Sequence, residues 1–213
     1  MRPFLQALHN SAMELACLDL EGVLIPEVWV HFAERTGIEA LRATTRDIPD
    51  YDELMTMRLG ILKERGLGIR DIQSVIDGMD PLPGAAEALD WLRPRFQVVI
   101  LSDTFYEFAR PLMAQLGWPT LFCHRLEVGP EGRITGYRLR LADHKRRAVA
   151  AFRDLNFRTV AAGDSYNDTG MLAEADGGIL FMPPDNVVAE FPQFPVTRSY
   201  PELDAAIEHT LAD

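Results

Sequence analysis

The chain has 213 residues, 47% of them hydrophobic and 25% charged, the balance of a globular protein with a buried core and not of a disordered tail. No apolar run approaches the roughly 20 residues that a membrane span needs. A formal net charge of −11 excludes a general nucleic-acid binder, which carries a basic face, yet allows an anionic small substrate held by a few local cations and a metal.

Residues 1–12, MRPFLQALHNSA, hold one short apolar patch and lack the apolar core of a secretory signal. Met13 runs directly into a strand-like segment, so residues 1–12 read as an extension or a start-site artefact. Four runs are near-continuously apolar instead of alternating, the mark of parallel strands buried on both faces: 14–20, 97–102, 159–163 and 177–182. Helical patterns at 85–92, 105–116, 145–155 and 169–174 lie between them, which predicts an α/β fold with a doubly wound parallel sheet. The stretch 121–140 predicts a hairpin around a Gly-Pro-Glu-Gly turn.

The segment 28–80 breaks this rhythm. It contains no good strand and reads as three amphipathic helices, the first ended by Gly37 and the second by Gly66. The predicted organisation is an α/β core of residues 13–27 and 81–213, with a small α-helical cap, 28–80, inserted after the first strand. Cys17 and Cys123 sit in apolar runs and read as buried free thiols, which fits a reducing cytoplasm. His9, His31, His124, His144 and His209 show no metal-ligand spacing and read as surface or packing residues. Trp29, Trp91 and Trp118 read as core or cap packing. Phe191-Pro192-Gln193-Phe194-Pro195 is a rigid, turn-rich segment that fits a homodimer contact or packing on its own domain.

In an open parallel sheet, ligands bind beyond the carboxyl ends of the strands. The first predicted strand ends in Asp19-Leu20-Glu21, the second in Ser102-Asp103-Thr104, and the third in Asp164-Ser165-Tyr166-Asn167-Asp168. Carboxylates that converge need a cation, and hard oxygen ligands suit Mg²⁺. Asp19 and Asp164 are the expected ligands, with the backbone carbonyl of Glu21 a third. Asp168 either orients a metal-bound water or pairs with Lys145. The competing reading is that these acids cap the helices that follow them. A carboxylate beside the metal can attack phosphorus and form an aspartyl phosphate, while a lysine and Ser102 neutralise or donate to the phosphoryl oxygens. The chain has only two lysines, and Lys145 is the one outside the helical insertion.

The set Asp19-Leu20-Glu21-Gly22-Val23, Leu101-Ser102-Asp103, Lys145 and Gly163-Asp164-Ser165-Tyr166-Asn167-Asp168 resembles the four motifs of the haloacid dehalogenase-like phosphatase superfamily, in order. The helical insertion resembles the cap of its phosphoserine phosphatase branch. The stretches 16–23, 44–51, 101–108 and 190–195 are most similar to the bifunctional phosphoserine phosphatase/homoserine phosphotransferase proteins of bacteria. This resemblance implies phosphoserine as donor and water or homoserine as acceptor. It makes Asp19 the nucleophile and Glu21 the general acid/base. It places Glu27 on the substrate ammonium, Arg58 on its carboxylate, Ser102 and Asp103 on the phosphate, and Asn167 in support of the substrate or the metal-side loop. Most members place Asp two residues after the nucleophile; Glu21 here is one methylene longer, which bears on whether water or an alcohol is activated better. Two other readings compete: a phosphatase for another small phosphate ester such as a sugar phosphate, which leaves Glu27 and Arg58 idle, and a catalytically silent binder of a phosphorylated ligand.

Overall fold

The computed structural model describes residues 13–45, 47–48 and 50–212. The reading of residues 1–12 lies outside the described residues. The chain divides into two compact units. The first comprises residues up to Leu18, Ala88–Val99 and residues from Asp143 on; the second comprises Asp19–Glu87 and Ile100–Ala142.

The first unit is a parallel ladder. Strand β1 (Met13–Leu18) pairs with β5 (Phe157–Gly163), β5 with β6 (Gly177–Phe181), and β6 with the two-residue β7 (Val196–Thr197). In register, Cys17 faces Ala161 and Gly163 faces Leu180. The strands are apolar throughout because both faces are covered: Leu15–Leu18, Val160–Ala162 and Ile179–Phe181 are all buried. Helices α6 (His144–Asp154) and α7 (Thr169–Glu174) pack beside β5, and α9 (Tyr200–Ala212) packs on β5, β6 and β7, with the Tyr200 ring 4.8 Å from that of Phe181. Burying a side chain such as Phe181 stabilises the unit by about 1.5–3 kcal/mol. Short α8 (Asp185–Glu190) leads into the Phe191–Pro195 segment, where Phe191 stacks on Phe194 and meets Tyr166 edge-on within the same unit.

The second unit carries the helical insertion: α1 (Val28–Thr36), α2 (Tyr51–Arg65) and α3 (Ile69–Ile76), with a 3₁₀ turn at Glu39–Arg42. Gly37 and Gly66 end α1 and α2 in the left-handed conformation, φ 68° and 66°, where a side chain would be strained. Asp50 caps α2 by accepting the N–H of Glu53 at 2.9 Å. Helix α5 (Tyr106–Gln115) packs against α3, and Gln73 Nε2 donates to the carbonyl of Glu107 at 3.0 Å. The predicted hairpin is present as antiparallel β3 (Thr120–Val128) and β4 (Ile134–Arg138), irregular in register at Glu127/Val128. Between the insertion and the hairpin in sequence, α4 (Ala85–Leu92) and β2 (Gln97–Phe105) each begin in one unit and end in the other.

The α/β class and the three helices within residues 28–80 are as expected, and a fourth, α4, precedes β2 at the predicted 85–92. Several boundaries differ. β1 stops at Leu18, so Asp19 lies just past its end, whereas β2 runs on to Phe105, which puts Ser102 and Asp103 inside the strand. β6 stops at Phe181 because Met182 adopts a left-handed φ of 47°. Trp118 is not core: it follows Gly117 at φ 56° and is 62% exposed. Both cysteines are free and buried, as read. No helix among the described residues is long and apolar enough to cross a membrane.

Candidate active site

In the second unit, Asp19 is 4% exposed, and its Oδ1 accepts the N–H of Leu20 at 2.7 Å. The chain then loops tightly. The N–H groups of Leu24 and Ile25 both reach the carbonyl of Leu20, and that of Gly22 reaches the carbonyl of Ile25. This loop returns Glu21 toward the start of α1, where its Oε2 accepts the N–H of Val28 at 3.0 Å. Glu27 occupies the N-cap position of α1 but makes no cap bond with its side chain. It is hydrogen-bonded to Glu21 instead. Burial, and then the Glu27 charge, push the Glu21 carboxyl up to about 8; the bonds from Val28 N–H and from Thr104 act the other way. A carboxyl held in this range carries a proton near neutral pH, the condition for a general acid.

Arg58 projects from α2 and is 6% exposed. Its guanidinium carbon stands 4.6 Å over the centre of the Trp29 ring, and one Nη donates to the carbonyl of Ala43 at 2.9 Å. Its Nε is buried with no hydrogen-bond partner. Burial lowers this guanidinium to about 10, and Glu21, Tyr51 and Glu27 counter that by attraction. It therefore stays charged at neutral pH with one donor direction unused.

On β2, Ser102 is 1% exposed and its Oγ accepts the N–H of Thr104 at 3.2 Å. The carbonyl of Asp103 accepts the Tyr51 hydroxyl at 3.1 Å, and its carboxylate lies 3.3 Å from His124 Nε2. His124 Nδ1 accepts the N–H of Arg140 at 3.2 Å, which assigns the proton to Nε2 and makes it a donor to Asp103.

In the first unit, Lys145 near the start of α6 places Nζ 2.8 Å from Asp168 Oδ1, with both side chains buried. The other Asp168 oxygen accepts the N–H groups of Asp164 and Ser165 at 3.0 and 3.1 Å. That fold-back is possible because residue 163 is glycine; a Cβ there would sit 2.3 Å from Asp168 Cγ. Asp164 is 8% exposed. Asn167 Oδ1 accepts the Ser165 hydroxyl at 2.5 Å.

The second unit thus groups Glu21, Glu27 and Arg58 as mutually interacting charges beside the Asp19 loop, and ties Ser102 and Asp103 to Thr104 and Tyr51. The first unit groups Lys145, Asp164 and Asp168. Sequence reasoning gave no role to Thr104 or Tyr51, although both stand in the motif-bearing stretches, and it read Trp29 as packing alone. Their signal was adjacency alone, since their partners are remote in sequence.

The haloacid dehalogenase-like hydrolase model matches residues 13–176. The chain is 64% identical over 191 residues to "Phosphoserine phosphatase ThrH" of Pseudomonas aeruginosa, covering 90% of this chain and 93% of that one. It is 64% identical over 199 residues to "Phosphoserine phosphatase" of Pseudomonas syringae pv. tomato, covering 93% and 84%. Among solved structures, a phospho-aspartyl intermediate analogue of phosphoserine phosphatase shares the fold, with TM-score 0.75 at 20% identity over 91% of this chain and 98% of that one.

Proposed function

The chain belongs to the haloacid dehalogenase-like hydrolase family and is an enzyme, and from this premise we propose that it takes the phosphoryl group of phosphoserine onto Asp19 and passes it to water or to homoserine. The observation that carries the substrate class is Arg58. A buried guanidinium with an unused Nε donor, facing Glu21 and Glu27, offers a carboxylate site beside a site for an ammonium. That pairing suits an α-amino acid, and a sugar phosphate would leave it idle. Relatives named phosphoserine phosphatase at 64% identity support the same substrate.

Asp19 and Asp164 are buried carboxylates, and a donor set of hard oxygens fits Mg²⁺. Asp19, Asp164 and the carbonyl of Glu21 would hold the ion, with Asp168 behind them, its oxygens engaged by Lys145 and by the amides of Asp164 and Ser165. When bound, the ion neutralises the phosphoryl oxygens and keeps these acids ionised. Asp19 attacks phosphorus while Glu21 hands its proton to the leaving serine oxygen. Ser102, the N–H of Asp103 and Lys145 hold the phosphoryl oxygens, and Asn167 supports the loop beside them. Asp168 holds the Lys145 ammonium in place. Glu21, now a carboxylate, then takes the proton of the acceptor. Homoserine is serine plus one methylene, a difference worth only about 1–3 kcal/mol of discrimination, so a serine site with slight slack admits it. In this reading residues 13–27 and 81–213 form the catalytic core and 28–80 the cap, and the enzyme works in the cytoplasm.

The test incubates purified protein with phosphoserine and Mg²⁺, with and without homoserine, and measures inorganic phosphate against phosphohomoserine. Phosphoserine is consumed in both tubes, and homoserine diverts part of the phosphoryl group. Phosphoserine left intact in both tubes overturns the substrate assignment. Asp19→Asn abolishes consumption.

A further inference from the structure

Helix α2 carries two functional side chains on one face. Tyr51 opens the helix and Arg58 follows seven residues later, two turns along, with Leu54, Met55 and Leu62 buried on the same helix. At its first residue the helix is tied to β2: the Tyr51 hydroxyl donates to the carbonyl of Asp103 at 3.1 Å. Asp103 is the neighbour of Ser102 on the strand assigned to phosphate. The Tyr51 ring is fixed in turn, edge-on to His124 at 6.2 Å and to Tyr137 at 5.8 Å. The neighbouring Asp52 carboxylate accepts the Tyr137 hydroxyl. Tyr51 also lies in the electrostatic field of Arg58, Asp103 and Glu21.

We propose that Tyr51 is the specificity-determining residue of this enzyme, setting the span between the phosphate-binding end of β2 and the carboxylate-binding Arg58 and so the length of amino-acid phosphoester that fits. The inference rests on the assignment of Arg58 and Ser102 given above. One hydrogen bond connects the strand that takes one end of the substrate to the helix that takes the other. Two rigid turns of helix separate that bond from the guanidinium. With the bond made, the span is held at the length that suits phosphoserine, and a substrate one methylene longer enters only by the slight slack that remains. With it broken, α2 is free to shift by the fraction of an ångström to an ångström that a methylene requires. Tyr51 is a positioning residue and does not enter the proton transfers.

The test compares Tyr51→Phe with the wild-type protein as Mg²⁺-loaded enzyme, using phosphoserine and phosphohomoserine as alternative substrates. Phenylalanine keeps the ring packed on His124 and Tyr137 and removes only the hydroxyl. The expected result is a fall of about three- to tenfold in the ratio of kcat/KM for phosphoserine to that for phosphohomoserine, the size of one net hydrogen bond. It should arise mainly through KM. Tyr106→Phe is the control, because the Tyr106 hydroxyl also donates to a carbonyl of the second unit, that of Leu121 at 2.9 Å, and accepts a bond at 2.6 Å from Arg140, which is not a residue of α2. That variant leaves the ratio unchanged. Amide hydrogen exchange adds a readout free of turnover: Tyr51→Phe accelerates exchange in the first two turns of α2, and Tyr106→Phe does not. An unchanged ratio in Tyr51→Phe, or an equal change in both variants, overturns the proposal. Wild-type protein that turns over neither substrate overturns the functional reading itself, which is a distinct result.

Discussion

Lys145 Nζ and Asp168 Oδ1 are 2.8 Å apart in a pair whose side chains are 4% and 0% exposed. Breaking such a pair strands a buried charge and costs about 3–5 kcal/mol. Lys145→Met should therefore lower stability by that amount in urea denaturation at neutral pH, besides abolishing turnover. The double variant Lys145→Met/Asp168→Asn should cost clearly less than the sum of the two single changes. Additive costs would show that the two charges do not support each other.

Gly163→Ala should destabilise by about 1–3 kcal/mol, the usual cost of overpacking. The new methyl would fall 2.3 Å from Asp168 Cγ, so Asp168 must move away from Lys145 and from the amides of Asp164 and Ser165. Thermal unfolding reads the effect. In an Asp168→Gly background the same substitution should cost much less, because the atoms it strikes, Asp168 Cγ and also Cβ at 2.4 Å, are gone.

Glu21 makes stability fall as pH rises through a defined window. Its carboxyl titrates near 4.5 in a model peptide and near 8 in the folded protein. Between those values the folded state holds a proton that the unfolded state has lost, so each pH unit of increase costs up to about 1.4 kcal/mol. The contribution is fully present below about pH 4.5 and is gone above about pH 8. Chemical denaturation of metal-free protein at pH 5 to 8 should show this downward slope, and Glu21→Gln should flatten it. An equal slope in both proteins would mean that another group carries the pH dependence.

Arg58→Lys keeps a charge but loses the planar fork that suits a carboxylate. It should reduce kcat/KM for phosphoserine about 10- to 100-fold, the range of a charged hydrogen bond. Turnover of 4-nitrophenyl phosphate, which has no carboxylate, should stay within about threefold. Equal losses on both substrates would mean that Arg58 supports the fold and not the substrate.

Much of the architecture was legible in the residues. Near-continuous apolar runs marked β1, β2, β5 and β6, since a strand covered on both faces has no polar alternation to hide. Gly37 and Gly66 marked two helix ends, because only glycine takes the left-handed turn cheaply. The Gly-Pro-Glu-Gly turn marked the β3–β4 hairpin. Helix α9, α8 and the two-residue β7 carried no comparable pattern. Strand ends were legible only approximately: Asp19 lies past its strand and Ser102 lies within one, a difference set by hydrogen bonding to neighbouring chain and not by side-chain type.

The residue types and their order alone determined which side chains were candidates, because phosphoryl chemistry needs carboxylates, a hydroxyl and a lysine and the chain offers few lysines. Tertiary structure alone decided their state. Burial of Arg58 over Trp29, the hydrogen bond between Glu21 and Glu27, and the reach of Tyr51 to Asp103 all join residues between 6 and 52 positions apart. Desolvation and through-space charge depend on which groups folding brings together, and no local pattern of residues encodes that distance.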